Sequence, residues 1–460
     1  MQPLEILLVV LVVFSTAALF SGKSKRSPLI LLWIVDLVAL LAHALLEGPH
    51  WQMAPAYAGV LLFTAIFWVR RQAWRRVVAA VMVLLVMAAC GFSAFLPMFR
   101  LPAPTGPYLI GTKILHLVND HPLDPSTSAG SDGKRELMIQ VWYPAAPSKA
   151  PRAPYRKLSE TTLLSSYQAV LPTHARWNAP FAANNEAFPV LLLNPAWNGR
   201  RTYYMYLVED LVSHGYVVVG IDHTGNSGPT AFPDGHVSEP IPDPAWDWSI
   251  LSYEAVNAYG ARYLEIQVND DRFTLDQLQQ FNQQPSNWLY HHLDMDRVGA
   301  FGHSFGGAVA AEDCLEDSRF KSALNMDGSF WGPVQKTGLA KPVMTIEEED
   351  GQFTPEQLLD RSNQTSQLLY LSDMAMMRNS NGYRIIVRGS THSSYSDRSL
   401  FSPFKRYSGE GPTPAIREYT ILRQYVLAFF DKTLRGEDPT LLNGKDHPYP
   451  EVILQVLHRP

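Results

Sequence analysis

The sequence predicts two architectures in one chain: an all-α transmembrane bundle, then an α/β domain whose mostly parallel sheet is covered by helices on both faces. Three observations carry this reading. Long apolar stretches fill the first hundred residues. From residue 135 onward, apolar β-rich runs alternate with helix-patterned segments. Between two of these lies Gly302-His303-Ser304-Phe305-Gly306, a Gly-x-Ser-x-Gly sequence set after a short apolar run and before a string of small residues.

The apolar stretches are approximately Leu4–Phe20, Leu29–Leu46, Met53–Val69 and Val77–Met98. Each approaches the roughly 20 residues that cross about 30 Å of hydrocarbon at about 1.5 Å per residue. Pro55 and Gly59 interrupt the start of the third. A cleaved signal peptide fits the first poorly, because it has no basic leading region, carries Glu5 and is followed by three more apolar segments. Lys23, Lys25 and Arg26 follow the first stretch, and Arg70, Arg71, Arg75 and Arg76 separate the third from the fourth, whereas Glu47–Gln52 carries no Lys or Arg. The positive-inside rule therefore places both basic loops in the cytoplasm, and the N-terminus, the middle loop and everything after residue 100 outside. The expectation is a multi-pass protein of a bacterial inner or cell membrane with an extracytoplasmic soluble domain. Asp36 and His43 fall inside the second stretch, two turns apart on one helix face. Either they form an interior pair, or Asp36 hydrogen-bonds within the bundle while His43 sits near the interface.

At 460 residues the chain has room for two or three domains. The expected boundaries are 1–100 for the membrane bundle of about four helices, 101–134 for a linker and loop rich in Pro, Gly, Ser and Asp, and 135–460 for the α/β domain. A formal net charge of -5, with basic residues beside apolar segments and not along one helix face, argues against a nucleic-acid partner. Cys90 and Cys314 lie in an apolar stretch and in a helix, so no disulfide is expected between them. Candidate strands are Leu137–Trp142, Val190–Leu193, Tyr216–Ile221, Val298–Phe301, Ser322–Met326, Val343–Ile346 and Tyr383–Val387. Candidate helices are Tyr203–His214, Ala255–Gln280, Gly306–Asp317 and Ile416–Arg435.

Strand, sharp turn and small-residue helix around Ser304 form the setting of a nucleophile elbow, in which glycines two positions either side let the helix pass close to the strand. A serine hydroxyl needs a base, and the base needs a group to orient it. His392 is the base expected, since Gly389-Ser390-Thr391-His392 follows the last apolar strand and so falls at the sheet's carboxyl edge. His223 precedes the serine, His291 and His292 lie at the wrong end of the elbow strand, and His303 is expected to bond locally. Asp327 is the acid expected. A helix of about thirteen residues leaves Ser304 and descends about 20 Å at about 1.5 Å per residue, and Ser322–Met326 climbs back at about 3.3 Å per residue. Glu347-Glu348-Glu349-Asp350, after the next strand, is the rival, and Asp397 a more distant one. The oxyanion donors should be backbone amides. Phe305 supplies one. The other comes from Asn194-Pro195-Ala196-Trp197-Asn198-Gly199, where Pro195 has no N–H, so Ala196 or Trp197 must provide it. Trp197 could equally line a pocket or pack structurally, and the aromatics of the cap-like segment Pro229–Ser252 (Phe232, Trp246, Trp248) present the same choice.

These residues resemble the platelet-activating-factor acetylhydrolase family, near the dienelactone hydrolases in the α/β-hydrolase superfamily. The resemblance rests on Val141-Trp142-Tyr143-Pro144, Phe188–Leu193, Asp271–Asp276, Asp296–Gly307 with its Gly-His-Ser-Phe-Gly-Gly core, and the Gly389–His392 turn. It implies an α/β-hydrolase fold, an acid directly after the strand that follows the nucleophile helix, hence Asp327, and Trp197 as the second oxyanion amide. It also implies hydrolysis of short or oxidised acyl chains from phospholipids, or of other small esters. Pro195-Ala196 stands where the family usually has His-Gly, and the apolar stretches before residue 100 lie outside the family pattern.

The expected activity is therefore that of a membrane-anchored serine carboxylic-ester hydrolase using Ser304, Asp327 and His392, with amides of Phe305 and Trp197 at the oxyanion. Its partner would be a small-molecule or phospholipid ester, and no metal or organic cofactor is expected. An acyltransferase with the same triad and a non-catalytic binding module of the same fold are the alternatives. Acyl length, head group and oligomeric state are not encoded in any motif.

Overall fold

The structure is a computed structural model and describes residues 1–21, 26–66, 68–69, 71–120, 133–183, 186–241, 252–349, 351–359, 364–444 and 448–459. Lys23, Lys25, Arg70, Trp246, Trp248 and Asp350 lie outside the described residues. The chain divides into two compact units: Met1–Arg100 with Pro154–Pro172 and Ser399–Ser408, and Leu101–Ala153 with Thr173–Arg398 and Gly409–Pro460.

The first unit is helical: α1 (Pro3–Ser21), α2 (Arg26–Leu46), α3 (Ala54–Ile66) and α4 (Gln72–Phe95). Leu8, Val12, Val60, Phe63, Ala79, Met82 and Ala89 form its centre. The outward faces are apolar as well, with Leu31, Val38, Leu41 and Leu84 each more than half exposed. A helix apolar on all sides suits lipid and not water. Helices α1, α2 and α4 are long and apolar enough to cross a membrane. The third expected stretch, Met53–Val69, begins in the turn Trp51–Met53 and carries α3, whose 13 described residues make about 20 Å of helix, with Pro55 in its first turn where a missing N–H costs nothing. Asp36 and His43 do not pair. Asp36 accepts a hydrogen bond from the Ser15 hydroxyl at 2.6 Å, while His43 Nδ1 meets the Tyr57 hydroxyl at 3.3 Å.

The second unit is built on a sheet of 11 strands: β1 (Leu109–Asn119), β2 (Arg135–Ala145), β3 (Arg152–Pro154), β4 (Pro172–Trp177), β5 (Phe188–Asn194), β6 (Val217–Asp222), β7 (Leu293–His303), β8 (Phe320–Met326), β9 (Pro342–Glu348), β10 (Asn381–Val387) and β11 (Val452–Leu457). Their order is β11-β10-β9-β8-β7-β5-β6-β2-β1-β4-β3. Strands β6, β5, β7, β8, β9 and β10 run parallel, β2 is antiparallel to both β6 and β1, and β11 is antiparallel to β10. This is the α/β-hydrolase order. All seven residues of β5, Phe-Pro-Val-Leu-Leu-Leu-Asn, are buried, as a strand covered on both faces requires. Buried side chains of this kind contribute about 1.5–3 kcal/mol each.

The covering helices are α5 (Met205–Ser213), α6 (Tyr253–Gln283), α7 (Phe305–Glu316), α8 (Gly332–Thr337), α9 (Gln364–Arg378) and α10 (Ala415–Arg435). One expectation is corrected, and one helix was not anticipated. The stretch 101–134 is not a linker throughout: β1 occupies its middle and pairs with β2 over eleven residues, from Leu109 opposite Ala145 to Asn119 opposite Arg135. The Pro- and Ser-rich flanks disguise a β-branched core. Helix α9 carries too weak an apolar period to be read from sequence; its buried face includes Leu369, Met376 and Met377. Within the expected cap, the described part forms a small hairpin, Thr230–Ala231 with Val237–Ser238, and Phe232 is buried against His236 and His116.

Candidate active site

Ser304 sits between β7 and α7 with φ 55° and ψ -123°, a conformation that side-chain-bearing residues seldom hold. The flanking glycines make the turn feasible. A Cβ on Gly302 would collide with the Gly306 carbonyl, and one on Gly306 with the carbonyl of Asn194 at the end of β5. The Ser304 amide donates to Met326 O at 2.8 Å, tying the elbow to the end of β8. The next residue, Asp327, also has positive φ (58°), and its amide donates to Ile346 O of β9 at 2.8 Å. Three adjacent parallel strands thus end in register, each handing its terminal residue to the next.

His392 arrives on the turn after β10. Its Nδ1 lies 2.6 Å from Asp327 Oδ2, while Asp327 Oδ1 accepts the Glu348 amide at 2.8 Å. An ionised carboxylate only accepts, so the imidazole carries its proton on Nδ1 and presents Nε2 as the acceptor. The backbone amide of His392 donates to Glu348 Oε2 at 2.6 Å. Burial disfavours the imidazolium, but the Asp327 hydrogen bond and the charges of Asp327 and Glu348 outweigh it and hold His392 above its ordinary value.

The rival acids are placed elsewhere. Glu347 pairs with Arg384 at 2.8 Å, and Glu349 lies 3.8 Å from Arg388. Asp397 is buried and accepts the amides of Met205 and Tyr206 at the start of α5, at 2.7 and 3.2 Å. Of the described residues of the acidic run, Glu348 alone is hydrogen-bonded to His392, through the backbone amide. Its role as a positioning residue was not legible in the sequence. Glu348→Gln removes an anion that stabilises the imidazolium, so the His392 pKa should fall. The acid limb of the kcat/KM–pH profile should then move to lower pH, with kcat on the plateau little changed; an unmoved limb would show that Glu348 does not act on the base.

A second device also escaped sequence reading. His303 Nε2–H donates to the His392 carbonyl at 2.8 Å, and His303 Nδ1 accepts from the Tyr204 hydroxyl at 3.2 Å. Tyr204 in turn accepts the Ala196 amide at 3.0 Å. Burial first, and His392 second, depress the His303 pKa well below the usual range, so it stays neutral and keeps this donor–acceptor sense. The chain joins the loop after β5 to the loop that carries the base. The position of His303 inside the Gly-x-Ser-x-Gly sequence was the available signal.

The Ala196 amide is thereby committed, and those of Asn198 and Gly199 bond Asn226 O and Ala196 O. Trp197 packs edge-on against Tyr263 and Phe305, with centroids 4.9 and 5.4 Å apart, and also lines a lobe of about 250 Å³ with Tyr204, Ser304, His392 and Arg398. A larger lobe, about 410 Å³, opens on the other side of Ser304 and His392, between Asp327, Phe330, Trp331, Leu369, Tyr370 and Met377. His223 is structural, bonded to Asp270 and Asn194 beneath the site.

The strand order and the pocket at the carboxyl edge are those of the α/β-hydrolase class, and the relatives and the solved structure that the chain resembles make it a carboxylic ester hydrolase. Residues 98–258 and 266–438 match the model of the family described as platelet-activating factor acetylhydrolase, isoform II, and the chain belongs to that family. Among curated relatives, a probable 1-alkyl-2-acetylglycerophosphocholine esterase of Arthroderma benhamiae is 24% identical over 401 residues, covering 77% of this chain and 93% of the relative. A platelet-activating factor acetylhydrolase of Canis lupus familiaris is 25% identical over 256 residues, covering 51% of this chain and 54% of the relative. Among solved structures, a ferulic acid esterase from Streptomyces cinnamoneus is similar with a TM-score of 0.63 at 30% identity, covering 77% of this chain and 99% of that one.

Proposed function

We propose that the chain is a membrane-anchored serine esterase that releases short acyl groups from glycerophospholipid or related esters through an acyl-enzyme. The observation that carries this is the Asp327–His392 contact of 2.6 Å beside a serine in an elbow conformation, with Ser304 and His392 lining both lobes of one pocket. Ser304 Oγ attacks the ester carbonyl while His392 Nε2 takes its proton. Asp327 holds the Nδ1–H and stabilises the imidazolium. The Phe305 and Trp197 amides receive the oxyanion, and the Tyr204 bond removes Ala196 from that role. The imidazolium then protonates the departing alkoxide, and water, deprotonated by the same imidazole, releases the acyl group.

Membrane anchoring is supported by the apolar lengths and outward faces of α1, α2 and α4, and the extracytoplasmic side by the basic loops. Phospholipid esters are supported by the names of the relatives and by Arg398, an exposed cation on the smaller lobe that suits a phosphate. The test is a series of p-nitrophenyl and sn-2 phospholipid esters of increasing acyl length, with products analysed in the presence and absence of an alcohol acceptor. Acetyl to butyryl esters should give the highest kcat/KM, with free acid as product; transfer to the acceptor as the main product would mark an acyltransferase. In Arg398→Ala, KM for the phospholipid ester should rise about fivefold more than KM for p-nitrophenyl acetate, the size of an exposed ion pair of about 1 kcal/mol. Equal changes for both substrates would remove Arg398 from head-group binding.

A further inference from the structure

We propose that the helical unit holds a divalent metal ion of the zinc class at Glu5, His43 and His50. The ligand atoms of these three residues lie within 4.8 Å of one another, and all three residues are buried. Glu5 opens α1, His43 closes α2, and His50 sits on the connection before α3. The donor set, two imidazoles and one carboxylate, is that of three-ligand zinc sites with an open fourth position. Glu47 Oε2 stands 3.9 Å from His43 Nε2 and can fill that position, as can water.

Two independent features point to a cation here. First, His43 Nε2 is fully buried, faces the cluster and makes no hydrogen bond among the described residues. An orphaned buried ring nitrogen costs free energy that a metal–nitrogen bond would recover. Second, His50 is turned with one ring nitrogen on a supporting side chain and the other toward Glu5. Gln52 Nε2 donates to Leu96 O at 3.2 Å, so Gln52 Oε1 faces His50 Nδ1, 3.0 Å away, and accepts from it when that nitrogen carries the ring proton. His50 Nε2 then lies 3.0 Å from Glu5 Oε1. A cation between these two atoms would bind both in place of their direct contact. A histidine whose second nitrogen donates to a carbonyl is the usual support for a metal ligand. Glu5 is supported in the same way, its Oε2 accepting the Gln2 amide at 3.0 Å, and Glu47 Oε1 accepts the Leu4 amide at 2.9 Å. Tetrahedral ligands about 2.0–2.1 Å from zinc stand about 3.4 Å apart, so side-chain shifts of about 1 Å close the site.

The full chain, purified in detergent without a polyhistidine tag, would be stripped with EDTA and titrated with Zn(II) or Co(II). The expected result is one zinc per chain by elemental analysis, the visible absorption of four-coordinate Co(II), and a higher Tm on zinc addition. His43→Ala and His50→Ala should lose all three. Gln52→Ala, which removes only the support of His50, should weaken binding roughly 10–100-fold. If the alanine variants do not fold, the nearly isosteric Glu5→Gln tests the same site by removing the anionic ligand. Wild-type protein that takes up no metal above the buffer blank would overturn the proposal and leave Glu5 and His50 as an ion pair. So would unchanged stoichiometry and affinity in both Glu5→Gln and Gln52→Ala.

Discussion

Ser304→Ala is expected to lower kcat by about 10³-fold or more on p-nitrophenyl acetate and to abolish covalent labelling by a fluorophosphonate probe. The fold should be unaffected for a specific reason. Alanine and serine both carry a Cβ, so the cost of φ 55° at this position is the same for each, and the amide bond to Met326 O survives. Ser393 and Ser396 on the smaller lobe and Ser329 and Ser366 on the larger lack the positive-φ elbow that Ser304 has, so none of them stands in its place. Tm should therefore match wild type while turnover collapses. Turnover near the wild-type rate in a well-folded variant would end the esterase mechanism proposed for this site.

Asp327→Asn should be as damaging, about 10⁴-fold in kcat, because it reverses the tautomer of the base. Asp327 uses both oxygens as acceptors, one for His392 Nδ1–H and one for the Glu348 amide. Asparagine has a single acceptor. If its oxygen keeps the Glu348 amide, its NH₂ faces Nδ1 and drives the ring proton to Nε2, where it blocks removal of the Ser304 proton. Glu348 does not rescue this loss, since its carboxylate is held on the His392 backbone amide and not on the ring. Steady-state kinetics at a pH above the His392 range would measure the effect. A loss smaller than tenfold would mean that another carboxylate orients the base.

Chain order and strand edges pointed to Ser304 and His392 as candidates, and to Asp327 with Glu347–Asp350 as its rival until the family resemblance favoured Asp327, because a nucleophile turn, the strand after its helix and the last parallel strand each leave a local signature. The positioning residues left none. Tyr204 and His303 are 99 residues apart, and Glu348 reaches His392 only because β9 and β10 lie side by side. In the helical unit, spacing put Asp36 and His43 on one face of α2, but the partners that meet them, Ser15 and Tyr57, come from other helices.

Composition and periodicity by themselves determined the division into an apolar helical part and an α/β part and the parallel strands buried on both faces, and the Gly-x-Ser-x-Gly turn marked Ser304 as the candidate nucleophile, since each follows from local burial and backbone geometry. Only the tertiary structure decided which carboxylate meets the imidazole, that the Ala196 amide is taken by the Tyr204 hydroxyl, and where β1, α9 and α3 fall. Those outcomes depend on contacts between segments tens to hundreds of residues apart, whose pairing is set by packing of the whole sheet and bundle and leaves no periodic trace in either segment alone.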